Sequence, residues 1–244
     1  MLREHVDLKP YNTLNVHARA RFFCEPVNLD ELQAACALAK REQLPVLVLG
    51  EGSNVVLASE QIDRVVVRLK HQLVQVLAED VDSVLVKVGG GLKWQSFIEQ
   101  CLANGWYGLE NLSLIPGTVG AAPVQNIGAY GAEVAECIES VVIYHIERDE
   151  VETLSAAHCK FGYRDSVFKR ELKDQVVITN VIFRLQKNFN AKLGYRVLAD
   201  FLQSHYPDQP LNASLVSQAV CDIRRSKLPD PNVLPNAGSF FKNP

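Results

Sequence analysis

The chain's possible chemistry sits in four short segments. Gly50-Glu-Gly-Ser-Asn54 follows an apolar run, Pro45-Val-Leu-Val-Leu49. Two glycines one residue apart permit positive φ and let a phosphate or pyrophosphate approach the backbone with no Cβ in the way. Successive N–H groups in such a turn make an anion-binding concavity, although the same five residues also suit a tight strand-to-strand turn. Val55 stands where a dinucleotide fingerprint has its third glycine, so the segment is neither that motif nor a Walker loop.

Ile115 to Gly131 holds four glycines, three alanines and two prolines in seventeen residues with hardly any charge. A solvent loop is more polar; a small, apolar loop suits a large flat ligand lying along backbone, with amides aimed at ring oxygens and phosphates, or else a buried turn. Phe161-Gly-Tyr-Arg-Asp-Ser166 sets Arg164 between an aromatic and an acid, for a surface ion pair or for bidentate recognition of a carboxylate. Arg224, Arg225 and Lys227 precede Leu228-Pro-Asp-Pro231, where three cations suit a diphosphate or a solvated helix end. Ser239 stands between Ala237-Gly238 and two phenylalanines. G-x-S-x-G is absent, so no esterase-type nucleophile is read here.

The elements that position these segments follow from apolar spacing. Asn28 caps a helix carrying Leu32, Ala35, Cys36 and Ala39. Residues 45–49 predict a strand buried on both faces; 65–67 and 84–88 are further strands. Trp94, Phe97, Ile98, Cys101 and Leu102 recur at helical spacing and Gly105 closes that helix. Residues 140–154 read as a hairpin turning at Arg148-Asp-Glu150, and 176–185 as another strand. A last helix starts near Ser214 and ends before Leu228-Pro229, which cannot continue it. Hairpins interrupt any regular βαβ rhythm, so the fold class is α+β, with boundaries near residue 70 and in the proline-rich 228–235 segment.

Composition removes several function classes. The 244 residues carry a net charge of −3 and a pI near 6.1, with no basic stripe for nucleic acid or an anionic membrane. No stretch approaches a membrane span and the N-terminus has no signal-peptide core, so a cytoplasmic protein is expected. Six cysteines lie far apart without C-x-x-C, and six histidines show no H-x-x-x-H spacing. Buried free thiols, and no metal site, are the expectation.

In order and spacing the segments resemble the UDP-N-acetylenolpyruvoylglucosamine reductases (MurB). The likeness runs through LKPYNT at 8–13, LGEGSN at 49–54, GLENL at 108–112, IPGTVGAAPVQNIGAYG at 115–131, FGYRDSVFK at 161–169, KLPDP at 227–231 and NAGSFFKNP at 236–244. Leu193-Gly-Tyr195 resembles the subtype with a tyrosine-bearing loop over its substrate. The resemblance implies a two-subdomain FAD-binding fold of the MurB and vanillyl-alcohol-oxidase-like type. Residues 1–70 and 71–227 would be its subdomains and 228–244 the start of a substrate domain.

It further implies that Gly50, Glu51, Gly52, Ser53 and Asn54 hold the pyrophosphate of FAD. Pro116, Gly117, Thr118, Gly120, Gly128, Ala129 and Gly131 would line the isoalloxazine, with Arg224 at a flavin or phosphate contact. Arg164 would stabilise an enolate and Ser239 protonate it. Tyr163, Tyr195, Lys227 and Asn243 would hold a UDP-sugar, and NADPH would be the hydride donor to a monomeric enzyme. Ala121-Ala122 replace serines of some relatives. The family's C-terminal glutamate and most of its third domain lie beyond Pro244, so the 244-residue chain is expected to show no more than trace turnover.

Overall fold

The structure, a computed structural model, describes residues 2–238. Strands β1 (Arg3–Asp7), β2 (Arg19–Cys24), β3 (Val46–Val48) and β4 (Gln61–Val67) form a mixed sheet in the order β1-β2-β4-β3. β1 runs antiparallel to β2, and β4 is parallel to both β2 and β3. Helix α1 (Leu29–Arg41) covers one face. Asn28 caps it: its side chain accepts from the Glu31 N–H, a contact that typically stabilises by about 1 kcal/mol. The buried stripe Leu32, Ala35, Cys36 and Ala39 packs on Val65 and Val67 and reaches Tyr144 and Val177 of the second sheet. One apolar cluster therefore fastens the two sheets together.

β5 (Val74–Glu79) and β6 (Ser83–Gly89) lead into α2 (Trp94–Ala103) and then a 3-10 turn over Glu110–Leu112. A two-stranded ribbon, β7 (Gly128–Ala129) and β8 (Ala132–Glu133), precedes β9 (Ile138–His145), β10 (Glu150–Ser155) and β11 (Val176–Gln186). The second sheet is antiparallel throughout, in the order β10-β9-β11-β6-β5. Trp94, Phe97 and Ile98 of α2 bury against Val86, Val181 and Phe183 in its core. Helices α3 (Arg196–His205) and α4 (Ala213–Lys227) form a pair with its own small core of Leu198, Leu202, Val216 and Val220.

The fold class is α+β as expected, but one strand departs from the sequence reading. β3 is not buried on both faces: it is an edge strand whose Val48 is 42% exposed. Its unbroken apolar run faces a cavity in the molecule, not a second packed layer.

Candidate active site

The turn at residues 50–54 leaves β3 and is fixed through its carbonyls. Gly52 has φ +65°, and a Cβ there would lie 2.1 Å from the Tyr11 carbonyl oxygen and 2.7 Å from the Asn12 Cα. Glycine is thus required by backbone packing as much as by any ligand. The Thr13 N–H donates to the Gly52 carbonyl at 3.2 Å. Asn12 braces the segment from below, donating to the carbonyls of Leu8 and Val16 and accepting from the Val16 N–H. Arg68 donates to the Gly50 carbonyl at 3.3 Å and pairs with Glu25 at 3.0 Å. With the carbonyls held in this way, the N–H groups of residues 50–54 have no partner among the described residues. An anion-binding turn has this pattern.

Glu51 reaches across to the second loop, accepting the Gly117 N–H at 2.8 Å, with Lys93 3.5 Å from its other oxygen. Asn54 donates to Gln125 at 3.2 Å. The Gly/Ala loop departs from expectation in one respect: many of its amides are spent internally. Val119 and Gly120 donate to the carbonyls of Leu92 and Gly90, at 2.9 Å each, and Ala121, Ala122, Val124, Asn126 and Ile127 bond within the loop. The small residues serve close packing, since a Cβ at Gly120 would meet two carbonyl oxygens at 3.0 Å. The loop ends in a two-residue hairpin turn, Tyr130 (φ 48°) and Gly131 (φ 79°), whose paired positive φ values are those of a type I′ turn.

Arg164 is drawn onto this loop. Its guanidinium donates to the carbonyls of Asn126 and Gly128 and lies 5.5 Å over the Tyr163 ring. The surface ion pair open to it in the sequence does not form, because Asp165 pairs with Arg170 at 3.4 Å. Arg164 itself has φ 53°, and Lys169 donates to its carbonyl at 3.1 Å. Asn126 ties the two segments together: its side chain donates to Glu133 and the Gly162 carbonyl and accepts from the Ala135 N–H.

Tyr163 and Tyr195 stand 52% and 47% exposed, and Tyr195 meets Tyr130 edge-on with ring centroids 5.6 Å apart. Of the three cations at the end of α4, only Arg224 turns inward. It is half-buried, donates to the Leu114 carbonyl at 3.2 Å, and burial draws its pKa down. Arg225 pairs with Asp222, and Lys227 is exposed. The following segment returns to the anion turn, for the Asn236 N–H donates to the Thr13 carbonyl at 3.0 Å and Ala237 is buried. Ser239 and Asn243 lie outside the described residues.

A cavity of about 340 Å³ opens between these loops and β3. Val46, Leu47, Val48 and Ile178 give it apolar walls, Gly50, Thr118 and Gly120 meet at one end, and Lys169 and Lys173 line another part. Apolar walls, bare amides and cations suit a flat dinucleotide. The cysteines are buried free thiols, with burial pushing Cys24 up to about 11 and Cys36 to about 12.

Sequence reading missed Asn111, Asn126 and Arg68. The two asparagines carried a signal, being polar residues inside apolar stretches. Such residues, when buried, must find hydrogen-bond partners.

Comparison with known proteins agrees with this geometry. A family of FAD binding domains matches residues 20–147. The UDP-N-acetylenolpyruvoylglucosamine reductase of Chromobacterium violaceum is 49% identical over 243 residues, covering 99% of this chain and 71% of that protein. The crystal structure of the corresponding reductase (MurB) from Thermus caldophilus superposes with a TM-score of 0.69 at 25% identity, covering all of this chain and 76% of the other. A solvent-stable cholesterol oxidase shares the fold alone, with a TM-score of 0.55 at 12% identity over 77% of this chain and 38% of its own.

Proposed function

The chain belongs to the UDP-N-acetylenolpyruvoylglucosamine reductase family, and we propose that its residues divide the reduction of UDP-N-acetylglucosamine enolpyruvate to UDP-N-acetylmuramate, a step of peptidoglycan precursor synthesis, as follows. FAD, when bound, supplies the two-electron carrier between NADPH and the enolpyruvyl methylene carbon. The bare N–H groups of residues 50–54 hold its pyrophosphate, with Glu51 locking that turn to Gly117. The apolar cavity beside β3, lined in part by Thr118 and Gly120, would hold part of the dinucleotide, and Pro116, Gly117, Gly128, Ala129 and Gly131, with Arg224, would flank its ring system.

Hydride arriving at the methylene carbon leaves negative charge on the neighbouring carbon and its carboxylate. Arg164 stabilises that charge as it develops. A cation already held by two carbonyls needs no reorganisation at that moment. Ser239 then delivers the proton. A serine hydroxyl is a poor free acid, so its position carries the contribution. Tyr163, Tyr195, Lys227 and Asn243 hold the sugar nucleotide.

We further propose that 1–70 and 71–227 act as the two flavin-binding subdomains, with 228–244 opening the substrate domain. The confinement of one sheet to residues 3–67 and the other to 74–186 supports that division. Among the described residues no helix is long and apolar enough to cross a membrane. We further infer a cytoplasmic monomer, and the net charge of −3 without a basic stripe argues against a nucleic-acid partner.

The observation that carries this reading is the junction at Glu51 and Gly117, which joins an amide-lined turn to the loop gripped by Arg164. The test is purification followed by a visible spectrum and steady-state NADPH oxidation. A yellow protein is expected, with only trace sugar-dependent NADPH oxidation from the 244 residues alone and full sugar-dependent oxidation once they are joined to a complete substrate domain of the family. A colourless protein, or turnover indifferent to that sugar, would overturn it.

A further inference from the structure

The GLENL segment, residues 108–112, has so far received no task, yet it is among the most firmly held parts of the molecule. Glu110 accepts the Gly108 N–H at 2.7 Å. Ser113 donates to the Glu110 carbonyl at 2.6 Å and meets Ser217 of α4 at 2.8 Å. Trp94 donates from its indole nitrogen to the Leu112 carbonyl at 2.9 Å. Asn111 sits in the middle, 1% exposed.

Both hydrogens of its side-chain amide are spent on other loops, one on the Tyr130 carbonyl and one on the Lys192 carbonyl, each at 2.9 Å. Tyr130 is the first residue of the hairpin turn that ends the Gly/Ala loop, and Lys192 lies three residues before Tyr195. Residues 188–194 have no regular structure, and no backbone–backbone hydrogen bond reaches them among the described residues. Among the described residues, the bond from Asn111 is the one hydrogen bond to their backbone. Around it, Lys192 pairs with Glu136, Leu193 packs on the α3–α4 core, and Tyr195 abuts Tyr130.

We infer that Asn111 is a positioning residue, which fixes the Tyr195 loop against the Tyr130 turn and thereby sets how tightly the sugar nucleotide is held, without touching it. This rests on the proposed placing of Tyr195 at the substrate. An aspartate at 111 keeps the shape and removes both donors, leaving two carbonyls without their partner. The loop then retains only side-chain contacts, and Tyr195 must be ordered by the substrate itself, which weakens binding.

The experiment uses flavin-loaded enzyme carrying a complete substrate domain, in four forms: wild type, Asn111→Asp, Tyr195→Ala and the double variant. Asn111→Ser, which keeps one donor, replaces Asn111→Asp if the buried acid prevents folding. In the Asn111 single variants, flavin content and the rate of flavin bleaching by NADPH are expected within about twofold of wild type. KM for the enolpyruvyl UDP-sugar should rise about tenfold or more, the scale of a small misplacement at a binding group, with kcat changed less. The double variant should bind no worse than Tyr195→Ala, since residues acting through one another are not additive. An unchanged KM, full additivity, or loss of flavin from the Asn111 variants would each overturn the inference. A wild-type enzyme indifferent to the sugar would instead sink the functional reading beneath it.

Discussion

Along residues 50–54 and 116–133 the backbone is fixed from many sides; along 188–195 side chains do almost all the fixing. The first region has Gly52 wedged against Tyr11, Arg68 on the Gly50 carbonyl, the bond between Glu51 and Gly117, and loop amides closed on Gly90 and Leu92. The second has the Asn111 bond to the Lys192 carbonyl, a side-chain bond from Asn188 to Asp82 and one ion pair. Phe189 meets Tyr107 edge-on, as Tyr195 meets Tyr130, and Phe189 and Leu193 pack on the α3–α4 core. A cofactor that stays through every turnover gains from a rigid wall, because no ordering entropy is spent on it. A substrate that enters and leaves needs a face able to yield. Under the proposed function, exposed Tyr195, on loosely bonded backbone, supplies such a face.

Breaking the rigid wall has the largest expected effect. In Gly52→Val the new side chain meets the Tyr11 carbonyl and is forced into positive φ, together costing about 3 kcal/mol or more. The variant should purify without flavin and without activity; a yellow Gly52→Val protein would show that the turn adapts.

The next effect touches chemistry and leaves the walls in place. Arg164→Lys loses the planar fork that grips two carbonyls and faces the substrate. In enzyme carrying a complete substrate domain, sugar-dependent turnover should fall by about 10²- to 10³-fold, while NADPH still bleaches the flavin at a near-normal rate. Ser239→Ala should behave in the same way, by about 10²-fold or more. Equal slowing of bleaching and sugar reduction in either variant would make that residue a structural support.

Smaller still is the lock between the two flavin loops. Glu51→Ala frees the Gly117 amide and Lys93, and flavin should dissociate about tenfold more readily, equivalent to about 1.4 kcal/mol. Glu51→Gln keeps an acceptor for Gly117 and should lie within about threefold of wild type. If alanine and glutamine proved equally harmful, the charge and not the hydrogen bond would hold the loops.

Residue order made much of the rigid wall legible. Gly52 and Gly105 at positive φ, the Asn28 cap, the α2 stripe and the 140–154 hairpin are local signals that formed where their patterns lay, whereas Gly50 keeps a backbone open to any residue. Edge status was not legible, since Val46–Val48 reads like a central strand and only the sheet order makes it an edge. α3 escaped because Tyr195 offers no side-chain cap and its apolar face meets α4, a partner remote in sequence. Glycine at 52 was read as room for phosphate, whereas a turn forty residues upstream presses on it. Asn111 and Asn126 join segments up to 81 residues apart, and no spacing rule foretells such bonds.

The smallest effect concerns pH and should tell the walls apart by their charges. Burial pushes the Glu25 carboxyl up, but the hydrogen bond from Arg68 and the charge of Lys70 outweigh it and hold Glu25 below its ordinary 4.5. A carboxyl with a depressed folded pKa contributes stability that is present above about pH 4.5 and lost as pH falls through the lower folded value. Glu25 is partly exposed and shares its charge among Arg3, Arg68 and Lys70, so the contribution is about 1 kcal/mol or less. Its loss frees Arg68 from one anchor and slackens the Gly50 carbonyl, which belongs to the flavin wall alone. Flavin release, followed by fluorescence during acidification, should therefore begin at higher pH in Glu25→Gln than in wild type. The two should converge once wild-type Glu25 is protonated. A gap that stays constant well below pH 4 would mean that Glu25 acts through packing and not through its charge.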